Sequence, residues 1–165
     1  MIIFISLLWI LFCILLQVVV FNQIHLFGGV VLIYLISLIK LPVEIKISTQ
    51  ILLGFLAGLL LDIFSNTLGM HALTCTFVMW LRVPIFHLFV LAEDFKAGSP
   101  NMQRIGFSGF AKFVILITSI HVILLYLIES FSLFNIVPLI TKILITIILT
   151  SSFAIAIEFA MTKKE

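Results

Sequence analysis

Six apolar segments separated by short polar breaks are the feature that most limits how this 165-residue chain can fold. A helix needs about 20 predominantly apolar residues to cross the hydrocarbon core of a bilayer, and most of these segments come close to that length or exceed it. We therefore predict an all-α integral membrane protein with about six transmembrane helices in a single membrane domain over residues 1–165. The predicted spans are approximately 2–21, 27–40, 49–64, 69–91, 106–128 and 137–160.

The composition agrees with a membrane protein and excludes several other classes. Hydrophobic residues make up 64% of the chain and charged residues 10%, whereas soluble domains average about 25% charged. The net charge of +2 offers no cluster of basic side chains for a nucleic-acid partner. Cys13 and Cys75 stand alone in apolar stretches, so we predict two small buried residues and no redox or metal pair. The first segment lacks a basic start and a cleavage site, which favours a retained anchor over a signal peptide.

Two segments depart from a simple spanning helix. The second has about 14 residues and begins with Gly28 and Gly29, which predicts a tilted or partly re-entrant helix. Arg82 and Pro84 interrupt the fourth, so we expect a kink or an early exit there, with residues 83–91 near the interface.

The distribution of lysine and arginine predicts the orientation of the spans. Cytoplasmic connections of membrane proteins are enriched in these residues. In this chain the second and fourth connections and the C-terminus carry them, whereas the first, third and fifth connections carry none. Six spans with both termini in the cytoplasm place every loop cation inside, and five spans would place one basic end outside. The cations concerned are Lys40, Lys46, Lys96, Arg104, Lys163 and Lys164.

A stripe of small residues ending in a carboxylate marks the third segment. Gly54, Gly58 and Asp62 follow one another at i+4 spacing and so lie on one helical face, where another helix can approach closely. An ionised Asp facing lipid at mid-bilayer would cost about 3 kcal/mol, so Asp62 is expected near the headgroups or against protein. One interpretation is a packing seam whose Asp caps the following turn and the fourth helix. The other is a partner-binding or ligand-binding face.

Other ionisable residues are predicted to gather at the two rims of the bundle. His71, His121, Glu129 and Lys142 form a predicted polar cluster at the outer rim, where Glu129 and Lys142 either form an ion pair or point separately to the headgroups. No chain of acids and histidines crosses the core, as a proton relay would need. For Arg82 we favour the inner headgroups or the Glu93–Asp94 stretch over a substrate role.

The sequence does not support catalysis. A membrane aspartyl protease such as lipoprotein signal peptidase needs two carboxylates in one site, whereas Asp62 and Asp94 are predicted on opposite membrane faces. Serine and cysteine nucleophiles lack a base on the same rim, apart from a lone His71 or His121. A zinc site needs three or four ligands, and only Asp62 and His71 are close in sequence. We therefore predict no enzyme activity, no metal and no cofactor.

The third and fourth segments also resemble a known family. Gly58-Leu-Leu-Leu-Asp62-Ile, a short turn and Leu68-Gly69-Met-His-Ala72-Leu73 are similar to the signature of the MreD family of rod shape-determining membrane proteins. The early Leu15-Leu16-Gln17 segment, the length and the six predicted spans agree with that family. The positions that match it are Gly54, Gly58, Asp62, Gly69 and Ala72.

The resemblance implies a non-enzymatic part of the bacterial cell-elongation machinery in the inner membrane. Members bind MreC, a single-pass protein with a periplasmic coiled coil, and work with MreB, RodA and a class B penicillin-binding transpeptidase in organising peptidoglycan synthesis and cell shape. The family supplies no catalytic residues, and its fold is similar to the substrate-binding subunits of energy-coupling-factor transporters. The few cations in the loops of this chain are a departure that bears on contact with the cytoplasmic filament.

A vitamin-binding subunit of such a transporter is the alternative function. Its pocket would use the outer rim around Asp62, His71, Glu129 and Lys142, but pockets for polar ligands need converging polar and aromatic groups. The aromatic candidates Trp9, Tyr34, Trp80 and Tyr126 are spread over four segments. The first segment, Ile2 to Phe21, also contains no Ala or Gly with which to meet a transporter partner. The sequence therefore favours a scaffold.

Overall fold

The computed structural model describes residues 2–24, 26, 28–90, 98–130 and 136–162, and these residues form α-helices without a β-strand. The all-α prediction is therefore confirmed for the described part of the chain. The helices are α1 (Ile2–Val19), α2 (Ile33–Ile39), α3 (Ile47–Ser65), α4 (Met70–His87), α5 (Met102–Glu129) and α6 (Ile136–Thr162), with a short 3-10 helix at Phe21–Gln23.

Among the described residues, four helical stretches are long and apolar enough to cross a membrane, which supports a multi-pass membrane protein. They are Ile3–Gln23, Ile47–Ser65, Met102–Glu129 and Ile136–Thr162. The 18 residues of α4 give it a length of about 27 Å, but His71, Arg82 and His87 lower its hydropathy. Unlike the predicted early exit, α4 continues through Pro84 to His87.

The helices form a bundle in which α2 is central. α3 and α4 pack side by side as a hairpin, α5 packs between α4 and α6, and α1 covers α2 and α3. All seven residues of α2 are buried. Most of the described ionisable residues lie toward one of two ends of the bundle. The first, which we call the Asp62 end, holds the α3–α4 turn and the end of α5. The second, the Lys40 end, holds the ends of α2 and α6 and the start of α5.

The predicted helix over residues 27–40 is mostly not helical, because α2 occupies only Ile33–Ile39. Gly28 has a positive φ of 86°, and Leu26 and Gly29 exchange two backbone hydrogen bonds of 2.9 and 3.0 Å. Residues 28–32 then run to α2 without helical structure. A Cβ on Gly29 would lie 2.7 Å from the side chain of Ile145 and 3.1 Å from the backbone nitrogen of Thr146. Gly29 therefore lets this irregular backbone lie directly against α6.

Side chains of α1 and α6 satisfy the backbone of this irregular segment. Thr146 Oγ1 accepts a hydrogen bond from the Val30 amide (3.3 Å), and Thr150 Oγ1 accepts one from the Leu32 amide (3.1 Å). The Ile33 amide donates to the side-chain oxygen of Gln17 (2.7 Å). In an apolar environment each unpaired N–H would cost several kcal/mol, so non-helical backbone is tolerated only where the protein supplies such partners.

Arg82 satisfies the other end of α2, which corrects the sequence-based preference for headgroups or Glu93–Asp94. Its side chain is fully buried. It donates to the carbonyl of Ile39 (3.1 Å), to that of Leu41, and to Gln50 Oε1 (2.5 Å). The last carbonyls of a helix lack intrahelical partners and carry a partial negative charge, so a guanidinium is well suited to them. Residues 93 and 94 lie outside the described residues.

A second clamp at the Lys40 end joins α2, α5 and α6. Lys40 Nζ and Glu158 Oε2 form an ion pair at 2.6 Å, and Glu158 Oε1 accepts a hydrogen bond from the Met102 amide at 3.1 Å. Glu158 is 2% exposed, so its charge is held almost entirely by these partners. The side chain of Asn101 caps the first turn of α5, whose regular geometry is interrupted at Gly106 (φ 71°).

Candidate functional site

The sharp turn between α3 and α4 places the motif residues of the family resemblance in one unit. Asn66 ends α3 in the left-handed conformation, and the Thr67 amide donates back to the Asp62 carbonyl at 3.0 Å. Gly69 precedes α4 with a φ of 80°, a conformation that costs other residues about 1–2 kcal/mol. The chain therefore reverses within a few residues, and Asp62 reaches the first turn of α4.

Asp62 caps α4 from the preceding helix. Oδ1 accepts a hydrogen bond from the His71 amide (3.1 Å), and Oδ2 accepts one from the Ala72 amide (2.9 Å). The hydroxyl of Thr67 and Nδ1 of His71 (3.0 Å) also donate to Oδ1. The carboxylate is buried, so it replaces water at two amides that have no helical partner and lies at the positive end of the helix dipole.

Gly54 and Gly58 lie against α4 of the same chain. A Cβ on Gly58 would stand 2.5 Å from Cα of Ala72, a distance that real Cβ atoms essentially never show. A Cβ on Gly54 would meet the Met79 side chain at 2.5 Å and the Cys75 carbonyl at 3.1 Å. The stripe predicted to hold another helix therefore holds α4. These contacts agree with the packing-seam interpretation of Gly54, Gly58 and Asp62.

A buried group of polar side chains lies behind the capped turn. The Tyr34 hydroxyl and Nε2 of His121 are 2.7 Å apart and share a hydrogen bond. The Tyr34 ring also packs edge-on against the rings of His71 and His121, with centroids 6.0 and 5.7 Å away. We call Tyr34, Asp62, His71 and His121 the polar cluster. It joins α2, α3, α4 and α5 at the Asp62 end.

Two atoms beside this cluster have no hydrogen-bond partner among the described residues. They are Nδ1 of His121 and Oγ1 of Thr118, both on α5 and both in fully buried residues. Leaving a buried polar group unpaired costs about 1–3 kcal/mol, so unpaired groups in native proteins call for an explanation such as a bound water.

The remaining residues of the predicted outer-rim cluster do not join it. Glu129 and Lys142 are exposed, and within the described part of the chain they form no ion pair with each other. Lys142 instead places its ammonium 5.5 Å from the centre of the Tyr126 ring. Tyr126 in turn shares a hydrogen bond of 3.2 Å with Thr146. Of the predicted cluster, the structure therefore brings together His71 and His121 alone.

Sequence reasoning missed the role of Tyr34. The sequence spreads the four aromatic candidates over four segments, and Trp9 and Trp80 are indeed 39% and 53% exposed. Tyr34 and Tyr126 are buried, however, and point their hydroxyls at partners on other helices. A tyrosine inside an otherwise apolar buried helix needs a hydrogen-bond partner, and that need was the signal available in the sequence.

Known proteins do not add a further constraint on the site. The chain matches no family model, no curated protein and no solved structure. Within the described residues, no three metal-binding side chains come together, and Cys13 and Cys75 are buried and unpaired. Asp94, the second carboxylate that an aspartyl protease would need, lies outside the described residues. What the polar cluster does chemically is to hold α2, α3, α4 and α5 together through hydrogen bonds and ring contacts.

Proposed function

We propose that this protein is a non-enzymatic scaffold of the MreD type in the bacterial inner membrane. In this role it binds an MreC-like single-pass protein and works with MreB filaments, RodA and a class B penicillin-binding transpeptidase in organising peptidoglycan synthesis and cell shape. One observation carries the proposal. The residues of the MreD-like motif form a single structural unit in which Asp62 caps α4 and Gly58 lies against Ala72. Their role is to build the bundle, as expected of a scaffold.

The proposal includes six membrane crossings with both termini in the cytoplasm. α2 alone is about 10 Å long, but the non-helical residues 28–32 can add up to about 16 Å, which together approach the 30 Å of a hydrocarbon core. The positions of the basic residues support the orientation. Of the described ones, Lys142 alone belongs to the Asp62 end, and the others lie toward the Lys40 end, which becomes the cytoplasmic end. Labelling of introduced cysteines with a membrane-impermeant reagent tests this orientation. A cysteine at Ser130 should react from outside the cell, whereas a cysteine at Lys46 should not.

The partner's helix is proposed to contact α1. The Gly54–Gly58 stripe is already covered by α4, whereas α1 is the least covered of the four long apolar helices, with 22% of its window buried. Its exposed face carries bulky side chains, including Phe4 and Leu15, which are 65% and 61% exposed. A single transmembrane helix can pack against such a face through van der Waals contact.

Site-specific photo-crosslinking tests the scaffold directly. A photoreactive amino acid at Leu15 is compared with one at Leu144, which is similarly exposed on α6. Crosslinking of a single-pass coiled-coil protein from Leu15, and much less from Leu144, is the expected result. A crosslinking pattern without such a protein at either position, in cells that elongate normally, would overturn the proposal.

A vitamin-binding subunit of an energy-coupling-factor transporter is the second candidate. The observation that favours it is that two buried polar atoms on α5, His121 Nδ1 and Thr118 Oγ1, have no hydrogen-bond partner among the described residues. Under this alternative the protein would co-purify with a pair of ATPases and a small polar molecule. Mass spectrometry of the protein purified in mild detergent separates the two functions, because each predicts a different set of bound partners.

A further inference from the structure

A blind apolar slot lies between α1 and α6, with α2 as its floor. Its volume is about 590 Å³, and its lining is apolar throughout. The two walls are formed by Trp9, Phe12 and Leu16 of α1 and by Phe153, Ile157 and Ala160 of α6. Because α1 packs on α2 and α3 while α6 packs on α5 and α2, the two walls stand apart and leave the slot open toward the membrane.

The slot is closed toward the Asp62 end. The rings of Phe21 and Phe153 meet edge-on there, with centroids 5.5 Å apart. This ring pair ends the slot, so a transmembrane helix could not lie inside it through the full thickness of the bundle. Along α6 the slot extends from Phe153 to Met161, which is about 12 Å. That depth is close to one leaflet, half of the 30 Å hydrocarbon core.

The open end of the slot leads into a polar mouth at the Lys40 end. A second cavity of about 490 Å³ shares Trp9 and Met161 with the slot and is lined by Lys40, Glu44 and neighbouring polar groups. An ammonium has three donor protons, and Lys40 directs one to Glu158 at 2.6 Å and another toward the sulfur of Met161 at 3.5 Å. A donor therefore remains for an anionic group in the mouth.

The charges of the mouth favour a headgroup that carries both signs. Among the described residues, Lys40 is already balanced by Glu158, Glu44 adds an exposed carboxylate, and the Arg104 guanidinium lies beside Gly98 in the wall of the mouth. A phosphate group can accept a hydrogen bond from the remaining N–H of Lys40. A headgroup that carries a second negative charge and no positive charge would be repelled by the Glu44 carboxylate. An amine attached to the phosphate would instead be attracted to Glu44. These are the features of a phosphatidylethanolamine headgroup.

We propose that the slot binds one glycerophospholipid of the phosphatidylethanolamine type. One acyl chain fills the slot between α1 and α6, the phosphate lies at Lys40 and the amine lies at Glu44. Trp9 stands where the apolar slot meets the polar mouth, the level at which tryptophan is enriched in membrane proteins. This site shares α1 with the proposed partner contact, but its lining includes neither Phe4 nor Leu15, so a lipid in the slot and a partner on that exposed face are tested separately.

Native mass spectrometry of the protein after reconstitution in vesicles of equal phosphatidylethanolamine and phosphatidylglycerol tests the site. The wild type is expected to retain one phosphatidylethanolamine per chain. Ala160→Trp fills the slot from an exposed wall position and should lower retention at least tenfold, whereas Ser108→Trp, exposed on α5 and outside the slot, should retain the lipid. Equal retention by Ala160→Trp and the wild type overturns the slot, and equal retention of the two lipids by the wild type overturns the headgroup assignment.

A second measurement uses the unaltered protein, so its result does not depend on whether the Ala160→Trp variant folds. Phosphatidylethanolamine with a photoreactive group on its acyl chain is irradiated with the reconstituted wild type, and the labelled peptides are mapped. Labels concentrated in residues 9–16 and 153–161 are the expected result. Labels distributed over the outer surface of α3 and α5, or displacement of the lipid by a protein helix crosslinked in the slot, overturn the proposal.

Discussion

Replacing Gly58 with alanine tests the helix seam most sharply, because the added methyl group would meet backbone. It would lie 2.5 Å from Cα of Ala72, and ordinary contact begins at 3.4 Å, so α4 would have to move by about 0.9 Å. A gap of 0.5–1 Å forfeits about a quarter to a half of the dispersion energy of the contacts concerned. The movement would also stretch the two hydrogen bonds from α4 to Asp62.

The expected free-energy change follows from two opposing terms. Alanine in place of glycine inside a helix stabilises by about 1 kcal/mol. Overpacking a tight site costs about 1–3 kcal/mol, and the upper end applies where the obstacle is backbone. We therefore expect Gly58→Ala to destabilise the protein by about 1–2 kcal/mol net. Gly54→Ala is the matched control, since its methyl group meets mainly the flexible side chain of Met79. It should remain within about 0.5 kcal/mol of the wild type.

Thermal unfolding in detergent, followed by the fluorescence of Trp80 on α4, measures the difference. Because 1 kcal/mol shifts the midpoint of a domain of this size by about 2–4 °C, Gly58→Ala should unfold several degrees below Gly54→Ala. If Gly58→Ala is as stable as Gly54→Ala, the close approach of α3 and α4 at Gly58 is wrong. The reasoning about the seam would then fail with it.

Three further substitutions test the clamps around α2. Arg82→Met should leave two buried carbonyls without partners and destabilise by about 2–5 kcal/mol, seen as a large loss of monodisperse protein on size-exclusion chromatography. Thr150→Val should cost about 1–3 kcal/mol and speed hydrogen exchange at the Leu32 amide, whereas Thr141→Val, on the exposed face of α6, should do neither. Glu158→Gln should remove the ion pair across α2 and α6 and expose the start of α5 to protease, and unchanged digestion would contradict that role.

The long helices were predictable from the sequence because long apolar runs leave few alternatives. The segments predicted over 2–21, 49–64 and 137–160 correspond to α1, α3 and α6 within a few residues at each end. The glycine stripe was equally predictable, because helical residues at i+4 spacing lie on one face in any fold. The packing-seam interpretation already pointed to the fourth helix, but a partner's helix remained the alternative, because spacing along one helix does not show which helix covers its face.

The parts that were not predictable depend on contacts between residues far apart in the chain. The sequence predicts headgroup contact for Arg82, because the residues next to it in the chain do not show whether its side chain is buried or lies at the surface. Its partners are carbonyls of Ile39 and Leu41, about 40 positions earlier. The unwinding of residues 28–32 has the same origin, because Thr146 and Thr150 supply its partners from more than 110 positions away. The periodicity of hydrophobic residues along the sequence does not indicate such long-range pairings.

The order in which the chain is made gives the threonine contacts of α2 a consequence for biogenesis. When α2 leaves the ribosome, the helix that will satisfy its irregular backbone has not yet been synthesised. Bare amides are costly in an apolar environment, so the hydrogen bonds of Val30 and Leu32 are completed only once Thr146 and Thr150 have been made. The second segment therefore reaches its final structure after α6, although it is synthesised more than 110 residues earlier.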